Sequence, residues 1–153
     1  MDPQHIIGVC DANWEAHQAD CSGFVKAVAF ALGVSTFSSD DDANVITDKL
    51  HAATEWTALA AGDGTAAKAQ ADLGLFVIAC LKGDDQMQPS PNGHLVVVVS
   101  GPLDSTHGKY PTAYWGSLGG VGAKCQTLNY AWRAVDRDRV GYFAKSVDSA
   151  GAG

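Results

Sequence analysis

The sequence predicts an α+β domain, with helices on one side of an antiparallel sheet. Three observations carry this reading. Apolar residues recur at helical spacing in the first half of the chain only. Continuous apolar runs of strand length begin at Leu75 and continue toward the end. The two kinds of segment do not alternate, so the strand–helix–strand repeat of a parallel sheet is missing. The 153 residues suffice for one domain with a sizeable core, and no repeat or internal boundary divides residues 1–153.

The elements follow in order. Ile6, Val9, Cys10, Trp14 and His17 define an amphipathic helix over about residues 5–18. A short connector, Gln18-Ala19-Asp20, leads to a second helix over 21–32. Phe24, Val25, Val28, Ala29 and Leu32 form its apolar face, and Gly33 ends it. The polar loop 35–42 offers Asp41 or Asp42 as the cap of a third helix, expected over 43–61. Its stripe is Val45, Ile46, Leu50, Ala53, Trp56 and Leu59, with Gly62 at its end. An alanine-rich helix is expected at 65–72. Two strands, 75–81 and 94–100, flank a turn region containing Pro89, Pro91 and Asn92-Gly93, and make a hairpin buried on both faces. A third strand is expected at 112–116 and a last one at 140–146. The glycine-rich stretch 116–122 suits close backbone approach to a ligand or strand, or a tight turn. Residues 127–134 read equally as helix or strand, and the tail 149–153 as disordered.

Composition removes several classes of function. Ten basic against seventeen acidic side chains give a net charge of -7, which argues against a nucleic-acid-binding surface. No apolar run reaches membrane-spanning length. The N-terminus lacks the basic flank and apolar stretch of a secretory signal, so action outside the cytoplasm requires another export route. The four cysteines show neither a CxxC pair nor zinc-finger spacing, so no metal and no cofactor is expected.

Chemistry concentrates at Cys21. A thiol at a helix N-terminus sits beside outward-pointing N–H groups and a partial positive charge, so its pKa is expected to fall. A cysteine nucleophile needs a base. Among His5, His17, His51, His94 and His107, His94 stands apart: it follows Asn92-Gly93 and opens a buried strand. Cys80, inside an apolar strand, reads as core. Cys10 reads as core or as half of a disulfide with Cys125.

Asp20-Cys21-Ser22-Gly23-Phe24-Val25 resembles the nucleophile motif of NlpC-type peptidoglycan endopeptidases, and Gly93-His94-Leu95-Val96-Val97-Val98 resembles their histidine motif. The blocks Phe76-Val77-Ile78-Ala79, Val98-Val99-Ser100-Gly101-Pro102-Leu103, Lys109-Tyr110-Pro111, Gly116-Ser117 and Asp136-Arg137-Asp138-Arg139 with Tyr142 narrow the likeness. In this order they resemble the type VI secretion amidase effectors, first family.

The resemblance implies a papain-like NlpC-type core with the catalytic cysteine at a helix N-terminus. It implies a cysteine amidase that cuts the peptidoglycan stem peptide between γ-D-glutamate and meso-diaminopimelate, delivered into the periplasm of rival cells. Cys21 would be the nucleophile and His94 the general base. The backbone carbonyl of Trp115, which stands where relatives carry cysteine, would be the third element. Ser22, Gly116 and Ser117 would contact substrate. The implied partners are the secretion apparatus and an immunity protein that occupies the cleft. The 136–139 cluster reads as structural ion pairing.

Two other readings compete. A transglutaminase-like acyltransferase needs an acidic side chain on the strand after the histidine, and Thr112-Ala113-Tyr114-Trp115 offers none. A catalytically dead peptidoglycan-binding relative would be expected to have lost Cys21 or His94, and both are present. A further variant of the enzyme reading cuts at the D-alanine cross-link.

Overall fold

A sheet of six strands, paired antiparallel throughout, organises the chain in the order β1-β6-β2-β3-β4-β5. The computed structural model describes residues 1–147, and the tail 149–153 expected to be disordered lies outside them. The strands are β1 Thr57–Ala58, β2 Phe76–Leu81, β3 His94–Val98, β4 Thr112–Trp115, β5 Ala123–Thr127 and β6 Gly141–Lys145. The helices are α1 Pro3–Trp14, α2 Cys21–Ala31, α3 Ala43–Ala52 and α4 Gly64–Asp72. A 3-10 turn, Glu15–His17, extends α1 to the end expected of it. No helix among the described residues is long and apolar enough to cross a membrane.

The β2–β3 hairpin is the centre of the sheet and is buried on both faces, as its unbroken apolar runs predict. Alternation along the strands splits the core in two. Phe76, Ile78, Leu95, Val97 and Tyr114 face α1, α2 and α3. Val77, Ala79, Val96, Val98 and Trp115 face the other way, against Ala67 and Ala71 of α4 and against Leu128 and Trp132. The helices are therefore on both sides of the sheet rather than one. Ala67 and Ala71 make so narrow a stripe that α4 lies close on the second face.

Two further differences have local causes. The third helix stops at Ala52 instead of continuing to residue 61, because Ala53 leaves the helical region (ψ 130°) and Thr57–Ala58 pairs with β6. Trp56 then packs on Phe76 and donates its Nε1–H to Thr36. The stretch that read as helix or strand resolves into the end of β5 and a 3-10 turn at Leu128–Tyr130.

All four cysteines are free thiols. Cys10 is core, while Cys125 is exposed and donates to the Tyr114 hydroxyl at 3.1 Å. In the 136–139 cluster, buried Asp136 accepts the Met87 N–H at 2.7 Å, and Asp138 pairs with Lys109 at 3.1 Å and accepts the Tyr110 hydroxyl at 2.8 Å. Among the described residues Asp138 forms the one ion pair there, and Asp136 holds the connection that precedes His94.

Candidate active site

Asp20 is the N-cap of α2. Its extended backbone ends the connector, and its carboxylate accepts the Gly23 N–H at 3.0 Å and the Ser22 hydroxyl at 3.1 Å. A Cβ on Gly23 would collide with the Asp20 carboxylate and reach 3.2 Å from His17 Nδ1. The Asp-Cys-Ser-Gly sequence thus has a local meaning: the aspartate closes the helix end, the glycine leaves it room, and the thiol sits between them. Ser22, expected to touch substrate, spends its hydroxyl on the cap, though the residue does line the cleft.

The connector before Cys21 is held from outside by the loop after β4. Gln18 O accepts from the Ser117 N–H at 3.0 Å and from the Gly122 N–H at 2.8 Å. A Cβ on Gly116 would collide with His17 O and lie 2.7 Å from Asp20 O. Gly116 and Ser117 therefore brace the connector before Cys21 by backbone contact. Gly116→Ala should push this connector away from β4. We expect a loss of about 2 kcal/mol, or roughly 6 °C in Tm, on a thermal melt, together with lower activity. An unchanged melt would show that the contact is soft.

Cys21 is 7% exposed and packs within the α1–α3 core. It opens onto a cleft of about 200 Å³ lined by Cys21 and Ser22 of α2, Asn44 of α3, Asn92 and Gly93 of the turn, and Leu118. The N–H of Leu95 faces the sulfur, so the structure brings the thiol to the residue that follows His94. His94 is the first residue of β3, and its ring packs edge-on against Trp132 with centroids 5.0 Å apart. Among the described residues no hydrogen bond joins Cys21 to His94. The Trp115 carbonyl accepts the Trp14 Nε1–H at 3.0 Å and lies against Gly122, at the end of β4 where Trp115 pairs with Ala123 of β5.

The chain is 36% identical to the peptidoglycan amidase Tse1 of Pseudomonas aeruginosa, over 95% of its own length and 92% of that relative's. It belongs to the type VI secretion amidase effector family. No family model matches the chain.

In this amidase-family chain the electrostatics of the two motif residues differ from the expectation of a lowered thiol pKa. Burial pushes the Cys21 thiol up. The N–H groups of Leu95, Ser22 and Cys21 itself pull the other way, but the nearby Asp20 charge adds to the rise. Burial also pushes His94 down from 6.5 to about 4. Near neutral pH both groups are therefore uncharged. Among the described residues no group of three or more His, Cys, Asp or Glu side chains is arranged to hold a metal ion.

Asn44 and Leu118 were not singled out in the sequence. Leu118 carried a signal, an apolar residue within the glycine-rich stretch 116–122, and in the structure it is 67% exposed. Asn44 carried none, because its partners lie 39 and 47 residues away.

Proposed function

We propose that the chain is a cysteine amidase of papain-like NlpC type that cuts the peptidoglycan stem between γ-D-glutamate and meso-diaminopimelate. In this reading it is a toxin exported through the type VI apparatus into the periplasm of a rival cell. A cognate immunity protein of the producing cell covers the Cys21 cleft. One observation carries the reading: a chain alike to a peptidoglycan amidase over nearly its whole length has a cleft-lining thiol at a capped helix tip, against the strand that His94 opens.

The mechanism follows from two uncharged groups. His94 is unprotonated over the physiological range and can accept a proton. As substrate enters, the Cys21 proton moves to His94 while the sulfur bonds to the γ-glutamyl carbonyl carbon. The base–nucleophile hydrogen bond forms in this step; such bonds are often absent before substrate binds. The N–H groups at the start of α2 face the developing oxyanion. The imidazolium returns its proton to the diaminopimelate nitrogen as the C–N bond breaks, leaving a thioester. Water, deprotonated by the same imidazole, attacks the thioester, and the thiol is restored. The backbone carbonyl of Trp115 is the position proposed for the third element.

The deciding experiment is digestion of purified peptidoglycan with mass spectrometry of the soluble fragments. We expect new fragments ending at D-glutamate. Products cut at the D-alanine cross-link would keep the enzyme class and overturn the bond preference. Binding without cleavage would favour the inactive relative.

A further inference from the structure

We propose that Asn44 is a positioning residue for His94: its carboxamide fastens the connection 82–93, which delivers His94 to the start of β3, onto the first turn of α3. The inference rests on the reading of His94 as the general base. Asn44 Oδ1 accepts the Gly83 N–H at 3.0 Å, at the beginning of that connection. Its Nδ2 donates to Pro91 O at 3.0 Å, at the other end. The same Oδ1 lies where a Cβ on Gly93 would be 2.7 Å away, so it rests against the residue directly before His94. One side chain thus meets both ends of the connection, just beyond the last hairpin pair, Leu81 with His94.

The anchor itself is firm. Asp42 caps α3 through the Val45 N–H at 2.9 Å, and Ile46 and Leu50 are buried beneath. The opposite side of the connection is held near its middle, by Asp136 on the Met87 N–H and by Arg133, which donates to Gln88 Oε1. Nothing in that second tether fixes the two residues that flank His94. The hydrogen bonds of Asn44 are partly exposed and contribute little to global stability. Their consequence is geometric, because a catalytic base displaced by an ångström slows the chemical step far more than it loosens the fold.

The test compares wild type with Asn44→Ala and Asn44→Asp on a soluble stem peptide. Asn44→Ala should lower kcat roughly tenfold to a hundredfold, with KM within about twofold of wild type. Asn44→Asp keeps the acceptor for Gly83 but loses the donor for Pro91, and should fall between. A second readout needs no turnover: exchange of the Gly83 amide should quicken, and the His94 ring resonances should shift, in Asn44→Ala. A kcat within about twofold of wild type overturns the proposal, as does a raised KM with kcat unchanged, which would make Asn44 a substrate contact. If Asn44→Ala does not fold, Asn44→Asp carries the same comparison. If wild type cuts no stem peptide, the functional reading fails. The clamp is then judged separately, and unchanged His94 resonances overturn it.

Discussion

Peptidoglycan treated with Cys21→Ala should release none of the fragments that wild type releases. Removing the nucleophile of a covalent mechanism costs on the order of 10⁴–10⁶ in rate, which is below detection in a fragment assay. The fold should stand. Cys21 is a small, mostly buried side chain that makes no side-chain hydrogen bond to another residue among those described, and alanine keeps its place in the α1–α3 core. A thermal melt close to wild type, together with absent fragments, would assign the loss to chemistry. Fragments persisting in this variant would mean that another group attacks the amide.

The second large effect is a pH profile set by burial of the base. With His94 at about 4, kcat/KM should stay flat from neutral pH down to about pH 5 and fall only near pH 4. A solvated histidine would give a fall near pH 6.5. Stability is linked to the same group. Below its ordinary value near 6.5 the imidazole of the unfolded chain binds a proton that the native one refuses until about pH 4. The unfolded state therefore holds more protons in that window, and stability drains as pH falls from about 6.5 to about 4, by at most about 3 kcal/mol from this residue. His94→Ala should abolish detectable cleavage and flatten that part of the stability curve, read by denaturant unfolding at pH 7 and pH 4.5. An acid limb at 6.5 in a fully folded wild type would refute the account of a buried neutral base. The raised thiol gives a companion expectation: alkylation of Cys21 by iodoacetamide should be slow at pH 7 and reach its midpoint above that of an ordinary cysteine.

The parts legible in the sequence were those where local pattern and tertiary need agree. The apolar face of α2 and the β-branched run of β3 could be placed within a residue or two, since each must be buried and each has its own period. The third helix is shorter than its sequence pattern because Ala53, Trp56 and Leu59 continue the helical spacing, while pairing of Thr57–Ala58 with β6 is a long-range event. Strand β5, Ala-Lys-Cys-Gln-Thr, is an edge strand with no apolar alternation, held through β4 alone. In the site, Cys21 and His94 were visible as motif residues. The sign of the thiol shift was not, because a helix end can be seen in a sequence whereas the desolvation that outweighs it cannot. The clamp formed by Asn44 is hidden for a similar reason: it joins α3 to residues 39 and 47 positions further along the chain.

The split core has a practical meaning for anyone wishing to retune this protein. The sulfur belongs to the compartment packed by α1, α2 and α3, whereas the imidazole borders the one packed by α4 and Trp132. The sheet stands between these two compartments as a partition. Edits behind the partition, at Trp132 or Leu128, would shift the working pH while leaving the thiol's surroundings intact. Edits in front of it, around Phe24 or Val25, would change the thiol's reactivity without moving the base. Two separately adjustable controls are thereby built into a chain of 153 residues.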